Sequence, residues 1–253
     1  MIYYKEEVWA IIPARGGSKS IPLKNLALLA GHPLIEYVIE AGKTSTVVNR
    51  IICSTENESI ATFCERKKIE IHRRPKRLAK DGTAVIEVLQ HLLRDIQKKN
   101  GYVAEFIILL QPTSPFVLPQ HVDGLVSLLR NSPKAQSAQT ISPIPHNFHA
   151  FNQRVIEHGW LKFKFDRERR IFYNKQKKPK FFRFGNLVVS RAKTILEEGT
   201  IFGKRSVPLE IPGLYAMDVD GPEDLKMANM LLEAAFLSLP YFTLSPERLI
   251  SRP

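Results

Sequence analysis

Cysteine is scarce. Only Cys53 and Cys64 occur in 253 residues, with no partner residues at metal-ligand spacing around them. That excludes a disulfide-stapled secreted fold and a cysteine-based metal framework, and it reads as free thiols in a reducing cytoplasm. Long apolar runs are missing as well, so no membrane-spanning segment and no membrane partner is expected. The first residues, Met-Ile-Tyr-Tyr-Lys-Glu-Glu, lack the charged-then-apolar pattern of a signal peptide. Neither Gly-x-Gly-x-x-Gly nor a Walker loop is present, which sets aside the two commonest nucleotide fingerprints.

Positive charge is what the chain has in excess, a net +12. Such a balance ordinarily points to nucleic acid. Its distribution argues otherwise. Residues 160–185 hold ten Lys and Arg against Asp166 and Glu168, so one segment carries +8 of the total. With 44% hydrophobic and 25% charged residues, the remainder has the balance of a soluble globular protein.

The densest chemistry lies at the start. Val8 to Ile12 reads as a buried strand that Pro13 ends. Arg15, Gly16, Gly17, Ser18, Lys19 and Lys24 follow. Glycines let backbone N–H groups approach a ligand, and the cations add charge beside them, so this loop suits a polyphosphate.

Strand and helix patterns then alternate. Helices are predicted over 33–43, 57–67, from 81–83 onward (capped by Asp81 or Thr83) and around Val122 to Leu129. Strands are predicted over 50–54, 69–72 and 106–110. This rhythm implies an α/β fold with a doubly wound, mostly parallel sheet of Rossmann type. Ligands of such sheets sit beyond the carboxyl ends of the strands. There the first loop and Gln111-Pro112-Thr113-Ser114-Pro115 converge.

The rhythm breaks at Ser142, giving a single domain over residues 1–240 with a basic arm or lid inserted at about 142–185. Residues 241–253 read as a C-terminal tail. The arm interleaves Phe163, Phe165, Phe172, Phe181 and Phe182 with its cations. Such a pattern serves either nucleic-acid stacking or a strand pair packed on a partner subunit. The Phe-Lys-Phe alternation at 163–165 has the period of a half-exposed strand and favours the partner, with no nucleic acid.

Strand patterns return at 185–190 and 206–211, around a short helix at 191–197. Near the end, Asp218 and Asp220 alternate on an extended segment and face one side, before a helix that starts at Pro222 and buries Leu225, Ala228, Leu231, Leu232 and Ala235. Two carboxylates placed so suit a hard divalent cation such as Mg²⁺.

Residues 12–25, 110–115 and 218–225, with Arg73-Arg74-Pro75, Leu78-Ala79, Asp81 and Pro145-His146-Asn147, resemble the blocks of the acylneuraminate cytidylyltransferase family. The resemblance implies a nucleotidyltransferase-like domain whose inserted arm builds a homodimer. It implies that CTP and an acidic 2-keto-3-deoxy sugar, sialic acid or a relative such as legionaminic or pseudaminic acid, give a CMP-sugar and pyrophosphate. Arg15, Ser18 and Lys24 would hold the phosphates, with Gly16, Gly17, Lys19 and Asn25 close by, and Arg74 and Thr83 would approach the nucleotide. Gln111, Thr113, Ser114 and Asn186 would face the sugar acid, towards which the arm would carry Lys175 and Arg183. Asp218 and Asp220 would bind Mg²⁺, joining Arg15 and Lys24 in catalysis.

This chain departs from the pattern at Ser20, where glycine is usual and a positive φ would be strained, and at Phe116-Val117, Phe148-His149-Ala150 and Gly185-Asn186. These changes leave the nucleotide and metal parts nearly intact and alter the sugar-acid pocket. A nucleotide-binding protein without turnover, or an enzyme resembling the Kdo cytidylyltransferases, is the alternative.

Overall fold

Alternating residues of the first strand divide the core between two faces of one sheet. In β1 (Tyr3–Pro13), Val8, Ala10 and Ile12 join one apolar cluster, while Trp9 and Ile11 join another. A computed structural model describes residues 2–242. The chain continues through a small ribbon, β2 (Leu28–Leu29) with β3 (His32–Pro33), into α1 (Leu34–Thr44), β4 (Arg50–Thr55), α2 (Glu58–Arg66) and β5 (Glu70–Arg73). Then come α3 (Val85–Asn100), β6 (Val103–Leu109), α4 (Pro119–Arg130) and β7 (Ser137–Pro143). The inserted arm holds a hairpin, β8 (Arg154–Glu157) and β9 (Trp160–Phe163), and the short helix α5 (Asp166–Ile171). The main sheet resumes with β10 (Phe182–Arg191), α6 (Ala192–Glu197), β11 (Ser206–Glu210) and the closing helix α7 (Pro222–Glu233).

The strands order as β11-β7-β10-β6-β1-β4-β5, parallel throughout except β10, which runs antiparallel to both neighbours. Helices α1, α2 and α4 cover one face and α3 and α6 the other, as a doubly wound sheet requires. The chain steps from β1 to β4 and β5 in one direction, then crosses to β6 on the other side of β1. The crevice between β1 and β6 is therefore the switch point at which such sheets bind ligands.

Several expectations need correction. β1 begins five residues earlier than Val8, because Tyr3 and Tyr4 pair with Val103 and Ala104 before a bulge containing Glu6 at φ 63°. α3 starts after Ala84 and has no side-chain cap from Asp81 or Thr83. Residues 217–220 form no strand, although Val219 is buried between exposed Asp218 and Asp220, so the alternation holds without a sheet partner. α7 buries Ala228 and Leu232 and packs the partly buried Leu225 and Leu231 on the same cluster, whereas Ala235 lies exposed beyond its end at φ 54°. Tyr241 and Phe242 pack on a further apolar cluster built from Leu29, Leu34, Tyr37, Phe116 and Leu232, and the part of the expected tail outside the described residues is 243–253.

The ends of the arm belong to the sheet, since Ser142 pairs with Arg183 across β7 and β10. Within it, Phe151 forms a small core with His149, Phe172 and Phe181. Arg169 and Arg154 lie over the Phe163 ring at 3.9 and 4.6 Å. These rings therefore pack inside the arm. Among the large apolar residues it leaves exposed are Phe148, Ile171 and Tyr173 and the hairpin residues Ile156, Trp160 and Leu161, and Phe165 and Phe182 stay partly open.

Both cysteines are buried and free, and the neighbouring thiol of Cys64 together with burial pushes Cys53 far above the ordinary range.

A buried polar knot fastens β7, β10 and α4. Asn186 Nδ2 donates to the carbonyls of Phe116 and Tyr215 at 3.1 and 2.9 Å, while Thr140 Oγ1 donates to its Oδ1 at 3.1 Å. His121 Nδ1 accepts from the Leu118 N–H at 3.3 Å. Burial lowers the His121 pKa from 6.5 to about 4. The folded state thus favours the neutral ring, and its stability is complete above pH 6.5 and falls as pH drops towards 4. The loss approaches about 3 kcal/mol at the acid end of that window. His121→Asn keeps a neutral acceptor, so denaturant titrations of this variant should lack that part of the slope. An identical acid limb in both proteins would remove His121 as its source.

Candidate active site

Loops from the carboxyl ends of β1, β5 and β6, with the start of α3, enclose a cleft of about 540 Å³. Arg15, Lys19, Lys24, Arg74 and Lys80 line it against one carboxylate, Asp81. Five cations around one anion in a cavity of this size make a strongly electropositive site.

The loop after β1 is held from both sides. Gly16 donates its N–H to Glu56 Oε1 at 2.7 Å, and a Cβ at this position would meet the Asn57 side chain at 2.5 Å. Glycine is needed there for close approach to the start of α2. The expectation that the Gly16 N–H faces a phosphate is thereby corrected, since Glu56 uses it; Gly17 and Ser18 line the cleft instead. Asn25 is buried and its Nδ2 donates to the Arg15 carbonyl at 2.8 Å, closing the loop on itself. Ser20 is not left-handed. Leu23 is, at φ 47°, at a cost of about 1 kcal/mol. That kink opens the short turn carrying Lys24 and Asn25.

Asp81 bridges two cations, Arg15 at 2.7 Å and Lys19 at 2.8 Å. The Lys19 hydrogen bond, then its charge and Arg15, lower the Asp81 pKa. Arg74 is buried, with Nε donating to Glu56 Oε2 at 3.1 Å. Its Nη2 lies 3.0 Å from the same oxygen but off the hydrogen-bond direction, and has no hydrogen-bond partner among the described residues. A buried guanidinium with an unused donor, on a residue lining a cleft, suits an anionic ligand.

The Asp218–Asp220 segment is fastened to the rim. Val219 N–H donates to the Thr113 carbonyl at 2.7 Å, and Ser114 Oγ donates to Asp218 Oδ1 at 2.5 Å. Ser20 Oγ donates to the Asp220 carbonyl at 2.5 Å, and Lys24 Nζ lies 3.5 Å from Asp220 Oδ1. Helix α7 is capped by Asp224, whose Oδ2 accepts the N–H groups of Asp220 and Gly221, which leaves the Asp220 carboxylate free of capping. Asp218 is exposed as a residue, but partial desolvation of its carboxyl at the contact with Ser114, with the Asp220 charge adding, raises its pKa against the opposing pull of Ser114, Arg183 and Lys24. The ligand atoms that the pair offers are hard carboxylate oxygens, which fit Mg²⁺.

Of the residues expected to meet the sugar acid, Gln111 and Thr113 line the cleft and Ser114 supports Asp218. Arg183 donates to the Gly213 carbonyl at 3.0 Å and bears on Asp218 electrostatically. Asn186 is corrected to a structural role, being buried with its amide fully engaged in the polar knot. Lys175 lies in the arm beside His146, His149 and Lys178, lining a separate pocket and not the cleft. Thr83 lines the cleft near Asp81.

Glu56, Lys80 and Asp81 were not expected as parts of the site. Glu56 had a readable signal, since an acidic residue directly after the buried strand β4 stands where ligands bind.

The cytidylyltransferase family model matches residues 9–239. The CMP-N,N'-diacetyllegionaminic acid synthase of Legionella pneumophila is 29% identical over 228 residues, which are 89% of this chain and 96% of that protein. The N-acylneuraminate cytidylyltransferase of Escherichia coli is 26% identical over 88% of this chain, which spans only 52% of its length. Among solved structures, a CMP:2-keto-3-deoxy-manno-octonic acid synthetase complexed with CTP superposes with a TM-score of 0.71 at 16% identity, covering 90% of this chain and 99% of that one, a likeness of fold. With the match running from β1 to the residues after α7, the chain belongs to the cytidylyltransferase family.

Proposed function

We propose that this nucleotidyltransferase joins CTP to an acidic 2-keto-3-deoxy sugar of the nonulosonic class, sialic acid or a relative such as legionaminic or pseudaminic acid. The anomeric hydroxyl oxygen forms a bond to the α-phosphorus as the bond to the bridging oxygen breaks. Pyrophosphate leaves, and the hydroxyl proton passes to solvent. The observation that carries this reading is the cleft itself, with five cations beside a carboxylate pair latched to the same loop.

Both substrates are anions, so neutralising and aligning them is the main task. Arg15, Ser18, Lys19 and Lys24 line the cleft and would receive the triphosphate, with Arg74 Nη2 as a further donor. Gln111 and Thr113 face the same cleft from the β6 side, where the sugar acid would enter. Asp218 and Asp220 would hold Mg²⁺, which supplies charge neutralisation at the phosphates. The legionaminic acid synthase, which this chain matches over nearly its full length, supports a nonulosonic substrate over Kdo. Retention of both aspartates supports turnover over simple nucleotide binding. CTP and two buried free thiols fit a cytoplasmic setting, and no helix among the described residues is long and apolar enough to cross a membrane.

Pyrophosphate release should be fastest with CTP when each of the four nucleoside triphosphates is offered with a panel of acidic sugars. Equal rates with ATP or GTP would refute the cytidylyl assignment.

Asp218→Asn and Asp220→Asn should each lower Mg²⁺-dependent turnover by about tenfold or more. Far-UV circular dichroism should stay unchanged, because Asn keeps the shape and can still accept from Ser114. Full turnover in Asp218→Asn would end its metal role.

The arm is read as a dimer contact, since Ile156, Trp160 and Leu161 stand two-thirds or more exposed on its hairpin. Light scattering at micromolar concentration should give a dimer that Trp160→Ser with Leu161→Ser shifts towards monomer. A monomeric wild type with full activity would sink this reading.

A further inference from the structure

Away from the cleft, three potential metal ligands meet between β5 and α3. His72 comes from β5, while His91 and Asp95 stand four residues apart on α3 and so share a helix face. Their ligand atoms all lie within 4.8 Å of one another. His72 Nε2 is 3.3 Å and His91 Nδ1 is 3.6 Å from the same carboxylate oxygen, Asp95 Oδ2. Ligands at zinc distances on a tetrahedron stand about 3.3 Å apart. The two spacings to Asp95 are therefore near those of a tetrahedral shell before any ion enters, and the two imidazoles stand within 4.8 Å of each other.

Two further observations point to a ligand. His91 Nδ1 is buried and has no hydrogen-bond partner among the described residues, which leaves a polar nitrogen uncompensated. His72 Nδ1 lies 3.0 Å from the buried Ser54 Oγ of β4. When that hydroxyl accepts, the ring hydrogen sits on Nδ1 and the Nε2 lone pair is presented to the cluster. Such a partner is the usual means of orienting a metal-bound imidazole.

We propose that His72 Nε2, His91 Nδ1 and the Asp95 carboxylate form a binding site for one borderline divalent ion of the Zn²⁺ class, with water completing the shell. Imidazole nitrogens separate it from the all-oxygen Asp218–Asp220 pair, which suits Mg²⁺. The ion would tie the edge strand β5 to α3. Arg74, two residues after His72, and Val88, three before His91, both line the cleft, so the brace sits behind its wall. The competing arrangement is a protonated imidazole paired with Asp95 and needing no metal.

The test uses the full chain without an affinity tag, stripped by chelator and kept in millimolar Mg²⁺ to occupy the oxygen site. Titration with Co²⁺ should give one equivalent bound with the visible bands of a tetrahedral nitrogen–oxygen shell. Stoichiometric Zn²⁺ should displace it and raise Tm. His91→Gln and Asp95→Asn should weaken binding by about tenfold or more and abolish the Tm rise, while nucleotide affinity at the cleft stays measurable. Two variants at half-buried positions of α3 guard against loss of fold in either. Absence of the bands, or binding and a Tm rise equal to the wild type in both variants, would overturn the site.

Discussion

Five cations facing one small cavity repel each other, and the arrangement of this end of the molecule follows from how that repulsion is met. In water each close like-charge pair opposes folding by about 1 kcal/mol, and by more where protein excludes solvent. Glu56 answers for Arg74, Asp81 for Arg15 and Lys19, and Asp220 for Lys24. Each acid comes from a loop other than that of the cation it holds. Charge balance therefore also pulls the loops after β1, β4, β5 and the one before α7 into contact. Because Asp81 and Asp220 are exposed, these pairs are weak enough for a phosphate to replace.

Much of this was legible beforehand because it rests on local signals. Buried strands in a parallel sheet are near-continuous apolar runs, so β1, β4 and β6 announced themselves, and the convergence of the first loop with the loop at 111–115 followed from their rhythm. Arg15, Lys19, Lys24, Gln111 and Thr113 were found because chemistry-bearing residues beyond strand ends are visible in one dimension. Asn186 was misassigned for the opposite reason. Its partners, at Phe116, Thr140 and Tyr215, come from three distant segments, and nothing in its neighbours distinguishes a buried amide from a ligand contact. Asp81 was read as a helix cap because a cap and a bridge between cations look alike in sequence. Only the tertiary position of Arg15 and Lys19 separates them.

The arm shows the limit most clearly. Its aromatic content was plain, yet which rings turn inward depends on where the chain doubles back. His149, Phe151, Phe172 and Phe181 share a core because the hairpin and α5 fold over them. The alternation read at 163–165 is not a strand, because β9 ends at Phe163 and Lys164 and Phe165 form the turn into α5, and the strand's exposed apolar surface falls on Trp160 and Leu161. Cation–ring contacts took up Phe163 from above, using charges that sequence alone assigned to solvent.

The arm leaves the sheet at Pro143 and re-enters at Phe182, and these two residues are directly paired across β7 and β10. Its ends are thus one strand spacing apart, and the same junction would be closed by an ordinary hairpin turn. An insertion rooted in this way behaves as a cassette. It can lengthen, shrink or change its surface without altering the register of the strands that carry the catalytic loops. Change in the arm's surface is thereby separated from change in the cleft. The reversed direction of β10, an oddity in an otherwise parallel sheet, is what makes that separation available.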